Sequence, residues 1–175
     1  MRSRTKRNWL TAGKWAVYGL LLLAAVVLQT MPGLSLLGIK PVFILPLCLT
    51  VALTEGEFYG ALFGTVGGLL WDWAAGRTAG LFAITLLAVC FFASILFQLY
   101  LRNTAANFGL LSGLAGWVVL TLDHLVFYVM PGYAAAAVRY AAVVLPMVVL
   151  CWLAGLIDRY IVLRVQRRFD PEEEN

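Results

Sequence analysis

The chain has 175 residues, of which 62% are hydrophobic and only 13% are charged. Soluble domains are about 45–50% apolar and about 25% charged, so this chain has too few polar side chains to cover a soluble fold. The same composition excludes a disordered chain, collagen, a coiled coil and a disulfide-stapled secreted domain. It indicates an integral membrane protein.

Charged residues concentrate at the two ends of the chain. Residues 1–14 carry five charges, residues 158–175 carry nine, and the long segment between them carries eight. Basic clusters beside apolar segments are typical of orientation signals and of contacts with anionic lipid. No recognition module accompanies them, so they do not indicate binding to nucleic acid. We divide the chain into a basic cytoplasmic N-terminus (1–14), a transmembrane bundle (15–157) and a charged cytoplasmic tail (158–175).

Six apolar segments follow one another along the chain. A bilayer core about 30 Å thick needs about 20 apolar residues per helix, and the segments are continuous, which excludes the alternating pattern of β-barrel strands. Turn sequences separate the segments. The first apolar segment lacks a signal-peptide cleavage pattern at its C-terminal end, so we expect it to be an uncleaved helix. The sequence predicts an all-α polytopic bundle of about six transmembrane helices. The segments are Trp15–Met31, Pro41–Thr54, Phe58–Trp73, Leu81–Tyr100, Phe108–Met130 and Ala137–Ile157.

The positions of arginine and lysine set the expected orientation. With six crossings, ten of the 13 basic residues lie on one side of the membrane, and only Lys40, Arg77 and Arg139 lie on the other. The positive-inside rule then places both termini in the cytoplasm. Four crossings are the alternative, with the second and third segments forming a re-entrant hairpin.

Five ionisable residues are predicted in the outer half of the membrane. Charge at such a depth is costly and faces a partner or a cavity. One interpretation is a set of salt bridges between helices, such as Asp72 or Asp123 with Arg139. The other is a ligand or partner site at the outer face. We call these five residues the outer polar cluster: Asp72, Arg77, Asp123, His124 and Arg139.

No catalytic set emerges from the remaining reactive residues. The three cysteines all fall inside predicted helices without metal-binding spacing, and the chain has a single histidine. Glu55 and Glu57 are predicted in an inner turn where they can reach water, so we expect Asp72 to matter more than either. The sequence predicts no catalytic residue, metal site or cofactor.

Glycine recurs every fourth residue through the third apolar segment. Small residues at this spacing let another helix approach closely. We expect this stripe to pack against helices of the same chain, with a homodimer or partner interface as the alternative, and we expect alanine to be tolerated better than leucine. The series is Gly60, Gly64, Gly68, Asp72, Gly76 and Gly80.

The stretch around these glycines is similar to a known family. Leu34–Gly38 followed by Lys40-Pro41, and then the glycine and aspartate series ending at Gly80-Leu81, resembles the MreD family of bacterial rod-shape-determining membrane proteins. Length, short loops and a basic N-terminus agree across nearly the whole chain. One departure is Val42, which stands where an acidic residue usually follows the family's proline.

The resemblance implies a non-enzymatic scaffold subunit of the complex that builds the lateral cell wall. Its location would be the bacterial cytoplasmic membrane, which it would cross several times. The expected partner is MreC, with MreB, RodA and a penicillin-binding transpeptidase in the same complex.

Two other classes of function stay open. The first is the substrate-binding component of an energy-coupling-factor importer for a vitamin-like molecule. Such components are also small six-span bundles, and they dock through small residues spaced by four on the first helix, which Ala12 and Ala16 match. The second is a membrane enzyme such as a lipid transferase. It would need clustered acids or a nucleophile–base pair, which this sequence does not contain.

Overall fold

The computed structural model describes residues 2–31, 33, 42–76, 80–101 and 104–169, with the backbone alone described for residues 2–8. Every regular element in these ranges is helical, which confirms the all-helical prediction. The number of crossings and the side of the membrane that each terminus faces stay predictions. Four helical stretches are long and apolar enough to cross a membrane: Trp9–Thr30, Leu81–Tyr100, Ala105–Val129 and Ala136–Phe169.

Several helices differ in length from the predicted segments. Only α4 begins and ends at the predicted residues. A π-helical segment, Leu125–Val129, continues α5, and a second one, Tyr140–Val144, joins α6 to α7. The α-helices are α1 (Arg2–Thr30), α2 (Ile44–Glu55), α3 (Glu57–Ala74), α4 (Leu81–Tyr100), α5 (Ala105–His124), α6 (Ala136–Arg139) and α7 (Leu145–Phe169).

The first and last helices extend into both charged ends of the chain. Helix α1 begins at Arg2, and α7 continues to Phe169, through most of the segment predicted as a separate tail. Arginine, lysine and glutamine favour helix, so a helix does not stop where its apolar part stops.

Helix α2 forms the centre of the bundle. It is 12 residues long, and its residues from Ile44 to Leu53 are all buried. It packs against α1, α3, α4, α5 and α7. At 1.5 Å per residue it spans about 18 Å, which is shorter than a bilayer core of about 30 Å. Pro46 fits because it lies in the first turn, where backbone N–H groups have no partner within the helix.

Helix α2 runs antiparallel to α1, and its last residue lies beside the end of α7. Glu55 at the end of α2 contacts Lys14 in the first half of α1 and Gln166 near the end of α7. At the opposite end, the Gln29 side chain accepts a hydrogen bond from the N–H of Ile44 at the start of α2. We call the first of these the Glu55 end. The first half of α1 and the last turn of α7 thus lie at the same end of the bundle as the end of α2.

Candidate functional site

A buried ion pair lies at the Glu55 end. The Lys14 ammonium is 2.7 Å from Glu55 Oε2, and the two side chains are only 9% and 8% exposed. The Tyr18 hydroxyl donates to Glu55 Oε1 at 2.7 Å, and Gln166 Nε2 donates to the same oxygen at 2.9 Å. These four residues, the Glu55 network, join α1, α2 and α7. Both carboxylate oxygens have partners, as a buried charge requires.

Local sequence explains how these groups meet. Lys14 and Tyr18 are four residues apart, so they lie on one face of α1. Glu55 is the last residue of α2, and Gly56 follows it with a φ of +99°. Glycine adopts this backbone conformation without strain, so α2 can end and α3 begin at the next residue. A carboxylate is unfavourable at the C-terminal end of a helix, and the Lys14 ammonium offsets that repulsion.

The expectation that Glu55 reaches water is wrong. Its carboxylate is buried against Lys14, a residue that the sequence assigned to the basic N-terminus. Glu57 does lie exposed, and it accepts a hydrogen bond from Gln98 Nε2 at 3.0 Å. The spacing of Lys14 and Tyr18 puts a cation and a hydroxyl on one helix face, but it does not identify the carboxylate that they contact.

The glycines inside α3 face other helices of the same chain. A Cβ added at Gly60 would overlap the backbone of Ala52 on α2. At Gly64 it would lie 2.8 Å from the Cys90 sulfur, and at Gly68 it would lie 2.5 Å from the Ala83 Cα, both on α4. The absence of a side chain at these three positions of α3 is therefore what allows α2 and α4 to approach it. Alanine, and not only leucine, is too large at Gly60 and Gly68.

Gly76 and Gly80 have a different role from the glycines within α3. Both lie beyond the last residue of α3, with φ values of +60° and +107°, and a Cβ added to either would meet nothing within 4 Å. The expectation that they extend the intramolecular packing stripe is therefore wrong. Their backbone conformation favours glycine, so they serve the turn before α4.

Asp72 caps the start of α4. Its side chain is buried, and its Oδ2 accepts hydrogen bonds from the N–H groups of Gly80 at 2.8 Å and Phe82 at 3.2 Å. Capping by a carboxylate satisfies N–H groups that have no partner in the helix and suits the positive end of the helix dipole. Its Oδ1 has no hydrogen-bond partner among the described residues.

The salt bridge suggested between Asp72 and Arg139 does not form, because Arg139 contacts tyrosine instead. Its Nη2 donates to the Tyr128 hydroxyl at 2.9 Å, and its guanidinium carbon is 4.2 Å from the centre of the Tyr128 ring. The His124 ring stacks on the Tyr128 ring, with the two ring centres 5.3 Å apart. The Nε2 of His124 donates to the Ala136 carbonyl at 3.0 Å. Arg139 is thus held at the junction of α5 and α6.

The outer polar cluster therefore divides into two groups. Asp72 binds the start of α4, whereas His124 and Arg139 meet around Tyr128 near the two π-helical segments. Asp123 is half-buried on α5 beside His124. Arg77 lies outside the described residues.

The three cysteines are free and buried: Cys48, Cys90 and Cys151. Within the part of the chain that the structure describes, no three or more histidine, cysteine, aspartate or glutamate side chains come together as a metal site. Val42, the departure from the family pattern, is buried, and its carbonyl accepts a hydrogen bond from the Cys151 thiol at 3.6 Å.

Comparison with known proteins adds no assignment, since no protein-family model, curated protein or solved structure matches this chain.

Proposed function

We propose that this chain is a non-enzymatic membrane scaffold subunit of the MreD type. It would bind MreC in the bacterial cytoplasmic membrane and help to position lateral peptidoglycan synthesis, together with MreB, RodA and a penicillin-binding transpeptidase. Six crossings and two cytoplasmic termini belong to this proposal. The observation that carries it is the sequence resemblance over residues 34–81. Within that stretch, the glycines of α3 allow close helix packing and Asp72 caps α4.

Two of the described carboxylates, Glu55 and Asp72, support a framework role. Both oxygens of Glu55 are engaged in holding α1 and α7 against α2. One oxygen of Asp72 caps α4. An enzyme needs an acid, base or nucleophile directed towards a substrate, whereas these groups are directed towards the protein's own helices.

The part of the chain that carries the resemblance also holds the tightest packing. Helix α3 packs most extensively on α4 and then on α2, and Gly64 and Gly68 lie where α3 meets α4. A scaffold must present a constant surface to its partners, and close packing of helices through small residues supplies such rigidity.

Depletion with microscopy tests the proposal. Rod-shaped cells depleted of the protein should become round, and the wild-type chain should restore the rods. Gly64→Leu should fail to restore them and should lose co-purification with MreC, because leucine would overlap the Cys90 side chain and the Leu86 carbonyl. Gly19→Leu is the matched control, since a Cβ at Gly19 meets nothing within 4 Å. Rods that persist after depletion would contradict the proposal.

A second candidate is the substrate-binding component of a vitamin-type importer. Ala12 and Ala16 are both exposed on α1, while Lys14 between them is buried in the Glu55 network. The two alanines thus present a small-residue surface that the lysine does not interrupt. Unchanged cell shape with lost vitamin uptake after depletion would favour this function over the scaffold.

A further inference from the structure

An open groove lies between α1 and α7 at the Glu55 end. Its volume is about 1000 Å³. Phe169 is one of its lining residues and packs on α1, where a Cβ added at Gly13 would lie 3.0 Å from the phenylalanine ring. The lining residues are Val17 from α1 and Tyr160, Ile161, Arg164, Val165, Arg167, Arg168 and Phe169 from α7.

The groove combines an apolar floor with a cationic rim. Val17, Ile161 and Val165 are half-buried, whereas Arg164 and Arg168 are exposed. These two arginines are four residues apart on α7, so they project from the same face of the helix. Among the lining residues that the structure describes, none is acidic.

The position of Arg164 is restrained by an aromatic neighbour. Its guanidinium carbon is 5.6 Å from the centre of the Tyr160 ring, within the range of a cation–π contact. Tyrosine favours the level of lipid headgroups. The aromatic ring and the guanidinium thus lie together at the boundary between the apolar part of α7 and its charged end.

We propose that this groove binds an anionic phospholipid. Its phosphate contacts Arg164 and Arg168, and an acyl chain lies along Val17, Ile161 and Val165. Guanidinium groups recognise phosphate oxygens through charge-assisted hydrogen bonds, and basic surfaces between transmembrane helices suit anionic headgroups. A soluble phosphate would leave the apolar floor uncovered, and a zwitterionic lipid carries no net charge to complement the rim. The lipid comes from the leaflet that the Glu55 end faces, which the positive-inside rule predicts to be cytoplasmic.

The test measures lipid retention by the purified full-length chain. Native mass spectrometry in detergent micelles containing phosphatidylglycerol or phosphatidylcholine should show preferential retention of phosphatidylglycerol. Arg164→Gln and Arg168→Gln should each weaken phosphatidylglycerol binding about fivefold, and the double variant roughly 25-fold. Arg139→Gln is the matched control, because it removes the same charge at the opposite end of the bundle and should leave binding unchanged.

Three results would overturn the proposal. The first is equal retention of phosphatidylglycerol and phosphatidylcholine, and the second is wild-type phosphatidylglycerol binding by the double variant. The third is a loss of phosphatidylglycerol binding in Arg139→Gln as large as in Arg164→Gln, because that loss would reflect net charge alone. Deleting residues 170–175 gives a further test, because four of these residues are acidic and they follow Arg168 closely in sequence. Phosphatidylglycerol binding that appears only in the shortened chain would assign the groove to that segment. Lipid binding does not depend on the scaffold function, so either can fail without the other.

Discussion

Replacing Glu55 by glutamine should destabilise the protein more than Glu57→Gln or Asp72→Asn. The glutamine carbonyl can still accept from Tyr18 and Gln166, but the Lys14 ammonium loses its counter-charge in a buried site. Breaking a buried ion pair by removing one partner costs about 3–5 kcal/mol. The value of about 0–1 kcal/mol for surface pairs does not apply, because the two side chains are 9% and 8% exposed.

Lys14→Met provides the second arm of a double-mutant cycle. Added to Glu55→Gln, it removes the ammonium that faced the Glu55 carboxylate and leaves a neutral network of comparable volume. We expect the double variant to recover more than half of the loss, because replacing both members of a buried pair by neutral groups is often nearly neutral. The single Lys14→Met variant should be destabilised, since Glu55 then keeps only its hydrogen bonds to Tyr18 and Gln166.

The assay is the free energy of unfolding in mixed micelles of mild detergent and dodecyl sulfate, followed by circular dichroism. Glu57→Gln is the control, because Glu57 is exposed and its carboxylate accepts a hydrogen bond from Gln98. It should cost less than about 1 kcal/mol. Equal losses for Glu55→Gln and Glu57→Gln, or no recovery on adding Lys14→Met, would refute the reasoning.

Two further predictions concern the packing and the capping of the helices. Gly67→Ala should destabilise the protein by about 1–3 kcal/mol because its Cβ would overlap the Cys48 sulfur, and adding Cys48→Ala should reverse part of the loss in the same unfolding assay. Cys48→Ala should not rescue Gly68→Ala, whose Cβ would meet the backbone of α4. Asp72→Ala should cost about 1–2 kcal/mol through loss of the α4 cap, whereas Asp72→Asn should cost less, because its amide oxygen can still accept. Equal unfolding free energies for Asp72→Ala and Asp72→Asn would show that the cap contributes little.

Much of the helical architecture can be predicted from sequence, because apolar length and helix-breaking residues act locally. The boundaries of α4 follow from a continuous apolar run after Gly80, and the break after Glu55 follows from Gly56. Helix ends without such a signal are harder to predict. Helix α7 continues to Phe169 because charged residues are compatible with helix once the apolar part has ended.

The partners of the polar groups are decided by the tertiary structure. Glu55 and Lys14 are 41 residues apart in sequence. No local sequence pattern therefore predicts that α1 and α2 meet with these two side chains facing each other. Asp72 likewise binds the first N–H groups of the next helix, while Arg139 binds a tyrosine.

Hydropathy is summed along one segment, so the sequence by itself determines that this chain forms a helical membrane bundle. The contacts of a buried charge depend on how each helix is rotated and shifted against its neighbours. That arrangement comes from packing across the whole bundle, including the close approach that Gly64 and Gly68 allow between α3 and α4. Only the assembled structure therefore shows which polar residues meet.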